Sequence, residues 1–137
     1  MNFNNEITGY IVIDGNGCLF GIKTGNISHV VHKFCVDLPK TMGRGGEAFR
    51  RRLYIIIINK KIKYIRNEYF RKIAEKAFNI FICNGKVNVS NIVLAGTADY
   101  KQLLLCSDLL DNRIVEKISK MVDVPYGMDY GFSWSLR

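Results

Sequence analysis

The sequence lacks the features of several specialised protein classes. No apolar stretch approaches the roughly 20 residues that span a bilayer, and no basic segment followed by an apolar one opens the chain. The four cysteines include no Cys-x-x-Cys pair, and long polar tails and internal repeats are missing. We therefore expect one globular domain over residues 1–137, with reduced thiols, no metal, no cofactor and no membrane contact, located in the cytoplasm.

Positive charge is abundant but concentrated in one segment. Residues 40–72 carry eleven Lys and Arg residues against two acidic residues, which gives this segment a net charge of +9. The other 104 residues sum to −1. A basic patch on a near-neutral body predicts a polyanionic partner such as nucleic acid. The alternative is a solvated basic helix face.

The basic segment contains a cluster of glycines in Thr41–Arg52, which reads TMGRGGEAFRRR. Ordering a glycine costs backbone entropy, so such a cluster marks a loop that adopts unusual backbone angles or closely approaches another surface. The neighbouring cations indicate that this surface is anionic. The residues predicted to bind the phosphates of a nucleic-acid partner are Lys40, Arg44, Arg50, Arg51, Arg52, Lys60 and Lys61.

A long helix is predicted after this loop. Its apolar residues recur every three or four positions, at Tyr54, Ile58, Ile62, Ile65, Tyr69, Ile73, Ala77 and Ile80. An unbroken helix from about Ala48 to about Ile82 would be on the order of 50 Å long, and Asn84-Gly85 would end it.

Shorter elements surround the predicted helix. Strands are expected at Tyr10–Asp14, Cys18–Lys23, around Val30–Val36, at 91–96 and at 120–126, with helices over 99–107 and 111–119. The pattern predicts an α/β fold with a layered mixed β-sheet, flanking helices and one long helix that carries the exposed Gly-rich loop.

Seven stretches, in chain order, resemble the middle domain of the eukaryotic and archaeal class-one peptide chain release factors. They read GYIVIDGNGCLFG, VVHKFCVDLPK, GRGG, RKIAE, KVNVSNIVLAGTADYK, SDLLDNR and MVDVPYG. The resemblance implies a ribonuclease-H-like α/β domain within a three-domain factor. It also implies a role in termination, in which the loop enters the peptidyl transferase centre of the large ribosomal subunit and promotes peptidyl-tRNA hydrolysis.

The resemblance also implies which residues and partners take part. Gly45, Gly46 and Glu47 would form the catalytic tip, and the basic residues would bind rRNA. The domain would then act as a cofactor of the ribosome rather than as a stand-alone enzyme. Domains absent from this chain would read the stop codon and bind the partner GTPase.

The chain departs from the family pattern at the tip itself. The family's loop ends Gly-Gly-Gln, whereas this chain has Glu47, and about six additional residues lie around Tyr54–Lys63. A glutamine amide both donates and accepts hydrogen bonds, but an ionised glutamate only accepts. Impaired release is therefore expected. The alternatives are a degenerate ribosome-binding paralogue, a rescue factor and a generic rRNA-binding module.

The remaining conspicuous residues are predicted to be structural. His29 and His32 lie in a strand without a metal partner, and Asp14 and Asp37 are typical turn residues. Packing is favoured over base stacking for the three tyrosines of the long helix, and burial is favoured for two of the cysteines. These five residues are Tyr54, Tyr64, Tyr69, Cys18 and Cys35.

Overall fold

The computed structural model describes residues 6–36, 48–97, 99–125 and 127–136, without the side chains of 48–59, 61 and 62. Seven strands occur in this part of the chain, and four helices connect or flank them. The strands are β1 (Ile7–Ile13), β2 (Gly17–Thr24), β3 (Ile27–Cys35), β4 (Ile82–Cys83), β5 (Lys86–Val87), β6 (Asn91–Gly96) and β7 (Ile118–Asp123). The helices are α1 (Ala48–Phe81), α2 (Tyr100–Cys106), α3 (Asn112–Lys117) and α4 (Met128–Ser135).

Five strands form one mixed sheet in the order β3-β2-β1-β6-β7. The first three are antiparallel neighbours joined by tight turns, whereas β6 runs parallel to β1 and β7 runs parallel to β6. Parallel neighbours need a crossover, and helices precede both β6 and β7 in the chain. The predicted mixed sheet with flanking helices is confirmed.

Alternate residues of the central strands face two different helical layers. On one face, residues such as Ile11 and Leu94 belong to the large core that includes Ile73 and Phe81 of α1, together with side chains of α2 and α3. On the other face, residues such as Val12 pack in a smaller core that includes Phe132 of α4. This alternation follows from the two-residue period of a strand, and it explains why β1 and β6 are apolar on both faces.

The long helix and its predicted end near Ile82 are confirmed, but the predicted role of Asn84-Gly85 as the helix C-cap is wrong. Helix α1 has 34 residues and ends at Phe81, three residues before Asn84. Asn84 (φ 53°) and Gly85 (φ 77°) instead turn the β4–β5 hairpin, because two consecutive left-handed residues match a hairpin turn. Asn88 satisfies two of the terminal helix carbonyls: its backbone N–H donates to Phe81 O at 2.8 Å and its Nδ2 donates to Ile80 O at 2.9 Å.

Candidate functional site

Helix α1 is anchored in the body by its C-terminal third. Among the helix side chains that the structure describes, the buried ones begin at Tyr69 and continue to Phe81, whereas Lys60, Lys63 and Tyr64 are exposed. The helix begins at Ala48, so 21 residues, or about 32 Å of helix, precede Tyr69. Because Ala48 follows Glu47 directly in the chain, the Gly45-Gly46-Glu47 tripeptide is joined to the end of α1 farthest from the buried part.

Tyr69 fixes the helix to the β1–β2 turn. Its buried hydroxyl lies 2.8 Å from Asp14 O and 2.5 Å from Gly17 O and shares its single proton between these two acceptors. Desolvation, reinforced by the nearby Cys18 and Asp14, raises the pKa of Tyr69 well above its usual value. The phenol therefore stays protonated at physiological pH and continues to donate.

The same turn also holds the end of β3. Asp14 Oδ1 accepts from the N–H groups of Asn16 and Gly17, each at 2.8 Å, which confirms the prediction that Asp14 is a turn residue. Asn16 O then accepts from Val36 N at 2.7 Å. The strand that precedes residues 37–47 in the chain and the helix that follows them are therefore fixed to one turn.

Aromatic packing surrounds this anchor. The Tyr69 and Phe34 rings meet edge to face with centroids 6.0 Å apart, and Lys72 Nζ lies 4.5 Å from the centre of the Phe34 ring. His32 stacks on Phe20 with centroids 6.4 Å apart, which agrees with its predicted structural role. Cys18 is buried as predicted, but Cys35 is exposed because it lies at the end of the edge strand β3.

The predicted site residues are described to different degrees. Lys60 is an exposed residue of α1, and Arg50, Arg51, Arg52 and Lys61 belong to the same helix, although their side chains are not described. Lys40, Arg44, Gly45, Gly46, Glu47 and Asp37 lie outside the described residues. Within the described ranges, no three His, Cys, Asp or Glu side chains are arranged to hold a metal ion.

The prediction that Tyr64 packs against the body is wrong. Tyr64 was expected to pack, but 66% of it is exposed, whereas Tyr69 is 2% exposed. The two residues are five positions apart, so they lie about 140° apart around the helix axis. The spacing in KKIKYIRN could have shown this, because Tyr64 lies off the apolar stripe that includes Ile65 and Tyr69.

None of the helices in the described parts of the chain is both long enough and apolar enough to cross a membrane.

The sequence matches a known protein family and characterised relatives. A family model described as eRF1 domain 2 matches residues 7–137. The eukaryotic peptide chain release factor subunit 1 of Podospora anserina is 49% identical over 129 residues, and that of Blepharisma musculus is 45% identical over 129 residues. In both cases the match covers 94% of this chain and 28% of the relative, so the chain spans just over a quarter of these relatives' length.

A solved structure shows the same fold. The crystal structure of an archaeal translation termination factor, aRF1, superposes with a TM-score of 0.72 at 21% sequence identity. The match covers 97% of this chain and 34% of that chain.

Proposed function

The chain belongs to the eRF1 domain 2 family, and from that premise we propose that it acts in translation termination as the middle domain of a class-one release factor. In this role the domain presents Gly45-Gly46-Glu47 to the peptidyl transferase centre and promotes peptidyl-tRNA hydrolysis. One observation supports this most directly. Helix α1 runs unbroken for 34 residues from the residue after Glu47 into the core of the body. About 32 Å of helix lies between Ala48, the residue after the tripeptide, and the buried part that begins at Tyr69, which suits delivery into a deep site.

The reaction that the tip must assist is ester hydrolysis. Water adds to the ester carbonyl carbon, and the carbonyl oxygen becomes an oxyanion in the tetrahedral intermediate. Collapse of this intermediate breaks the bond to the ribose 3′-oxygen, which leaves with a proton, and the released peptide ends in a carboxyl group. N–H donors aimed at the developing negative charge lower the barrier. The ribosome supplies the surrounding site, so the domain is not a stand-alone enzyme.

Each tip residue has a separate proposed role. Gly45 and Gly46 permit a backbone bend and a close approach that a Cβ atom would block. Glu47 keeps its backbone N–H, which can donate to the oxyanion. Its side chain, when ionised, offers only acceptors and adds negative charge where negative charge must develop. We therefore propose that the domain promotes release slowly.

The basic segment 40–72 is proposed to bind the phosphates of large-subunit rRNA. The exposed Lys60 and Lys63 lie on the part of α1 just beyond the body, where an RNA partner can reach them. The tip would meet peptidyl-tRNA. Parts of the factor outside this chain would bind a partner GTPase, and the assembly would work in the cytoplasm.

A second candidate function is favoured by Glu47 alone. A ribosome-binding paralogue that no longer promotes hydrolysis would keep the basic helix and lose the glutamine amide at the tip. This candidate and the slow release factor would make the same contacts with the ribosome, apart from the contact of the tip that promotes hydrolysis. They differ in whether any release activity remains.

The test is a release assay on ribosomes stalled at a stop codon with labelled peptidyl-tRNA in place. The domain is supplied within a complete three-domain factor, with and without Glu47→Gln. Slow release that rises with the substitution supports the proposed function. Ribosome binding without release, followed by release in the Glu47→Gln version, supports the paralogue. Failure of both versions to bind ribosomes contradicts both candidates.

A further inference from the structure

Tyr64 exposes an aromatic ring on the helix just outside the body. It lies five residues before Tyr69, which places it about 7.5 Å farther along the axis toward the tip. The residue is 66% exposed. Among the side chains that the structure describes, none makes a ring contact, hydrogen bond or cation–π contact with it. The ring therefore adds little to the stability of the fold.

The charge around this ring is mostly positive. Lys60 is one helical turn before Tyr64, Lys63 is adjacent to it, and both are exposed. The stretch KKIKYIRN, residues 60–67, carries four cationic residues and no acidic residue. The next acidic residue, Glu68, has its Oε1 3.7 Å from Arg71 Nε. Lys60 and Lys63 therefore lie on the side of the ring toward Ala48, and the single nearby carboxylate, Glu68, lies one turn away on the side toward the body, beside Arg71.

We propose that Tyr64 stacks on an unpaired base of RNA while the ammonium groups of Lys60 and Lys63 bind the phosphates on either side. Every base offers a π face, so an exposed ring beside a cationic groove or stripe binds single-stranded RNA with little sequence preference. An acidic protein segment would satisfy the lysines but would leave the ring without a matching flat partner. Charge complementarity together with the free aromatic face therefore favours an unpaired nucleotide.

This inference rests on the proposed function to the extent that the RNA is ribosomal. It adds a contact that is separate from the tip, because Tyr64 lies 17 residues from Glu47. The chemistry that it requires is binding alone, without hydrolysis. It can therefore be tested on the 137-residue chain with short RNA.

The first measurement is the affinity of the chain for 12-nucleotide oligo(A) and oligo(U) RNA at several salt concentrations. Tyr64→Leu keeps an apolar side chain but removes the π face, and it should weaken binding about tenfold. Tyr64→Phe keeps the ring and should stay within about twofold of the unmodified chain. Lys60→Gln and Lys63→Gln should each reduce the slope of log affinity against log salt by about 0.7.

The second measurement detects stacking directly. The chain has one tryptophan, Trp134, which lies in α4 on the opposite face of the sheet from α1. Tyr64→Trp adds a second indole at the proposed site. RNA should quench the added emission, whereas the emission of Trp134 in the unmodified chain should stay nearly constant and serve as the reference.

Three outcomes would overturn the inference. One is equal affinity of the unmodified chain and Tyr64→Leu. Another is an unquenched Tyr64→Trp in the RNA-bound state. The third is that polyglutamate displaces the RNA equally well from the unmodified chain and from Tyr64→Leu, which would indicate an acidic protein partner. These results are independent of the release assay: stacking without release would contradict only the proposed function, and release without stacking would contradict only this inference.

Discussion

Removing one hydroxyl should loosen the anchor of the long helix. In Tyr69→Phe the ring remains in the core, but Asp14 O and Gly17 O lose the hydrogen bonds of 2.8 Å and 2.5 Å that the phenol donates. Gly17 O keeps a second donor, Asp14 N at 3.0 Å. The one shared proton makes a net hydrogen-bond contribution of about 0.5–1.5 kcal/mol, and a buried carbonyl left without its partner adds a desolvation cost of about 1–3 kcal/mol at most. The free energy of unfolding should fall by about 1–3 kcal/mol.

Urea unfolding followed by circular dichroism measures this change. For a domain of this size the dependence of the unfolding free energy on urea is about 1–3 kcal/mol per molar, so the midpoint should fall by roughly 1 M. Hydrogen exchange adds a local measurement. The amides of α1 near Tyr69 and those of the β1–β2 turn should lose protection together, because the hydroxyl joins these two elements.

The matched control is Tyr64→Phe, which deletes the same hydroxyl from an exposed tyrosine of the same helix. It should change stability by less than about 0.5 kcal/mol. Equal stabilities of Tyr69→Phe and Tyr64→Phe would refute the account of the anchor. Loss of stability without loss of protection in the turn would show that the hydroxyl acts elsewhere.

Three further predictions concern pH, packing and charge. Burial raises the pKa of the Cys18 thiol above its usual 9.0 and that of the Tyr69 phenol above its usual 10.0. The folded state therefore holds both protons more tightly than the unfolded state, and this stabilisation is complete below the unfolded pKa and is lost as the pH rises above it. Stability should therefore decline above about pH 9, by up to about 1.4 kcal/mol per pH unit for each group, and Tyr69→Phe should show a shallower decline in a pH series of urea melts. Gly96→Ala would place a Cβ 2.8 Å from Ile13 O and should lower the free energy of unfolding by about 1–3 kcal/mol, which a thermal melt against the unmodified chain will detect. Replacing the arginines of Arg50–Arg52 by Glu should weaken ribosome binding and flatten its salt dependence while the melting temperature stays unchanged; affinity insensitive to ionic strength would contradict the electrostatic account.

The sequence predicts most of the fold because its strongest signals are local and periodic. The stripe through Tyr69 and Ile73 places α1 within one residue of its observed C-terminal end, and the glycines after Asp14 mark the turn between β1 and β2. The wrong assignment of Asn84-Gly85 as a helix C-cap has a clear cause. Asn-Gly suits a helix C-terminus and a hairpin turn equally well, and only the pairing of the two-residue strands β4 and β5 decides between them.

The site was harder to derive, because its geometry depends on contacts between distant residues. Sequence reasoning assigned Tyr69 to packing, but its two hydrogen bonds to a turn 52 and 55 residues away follow only from the fold. Tyr64 was misassigned because a helical tyrosine is more often packed than exposed, although its position off the apolar stripe argued otherwise. The charge pattern pointed to Lys60 and Lys63, and both are exposed on α1.

The central claim is that the tripeptide at the end of α1 acts on peptidyl-tRNA. The most direct test measures single-turnover peptide release on stop-codon ribosomes by a complete factor carrying this domain, with Glu47→Gln, Gly46→Ala and the double substitution. We predict at least tenfold faster release for Glu47→Gln, which corresponds to about 1.4 kcal/mol of barrier, and a loss of release with Gly46→Ala whichever residue occupies position 47. Release that is unchanged by Gly46→Ala and by Glu47→Gln, in a factor that binds ribosomes normally, would contradict the claim.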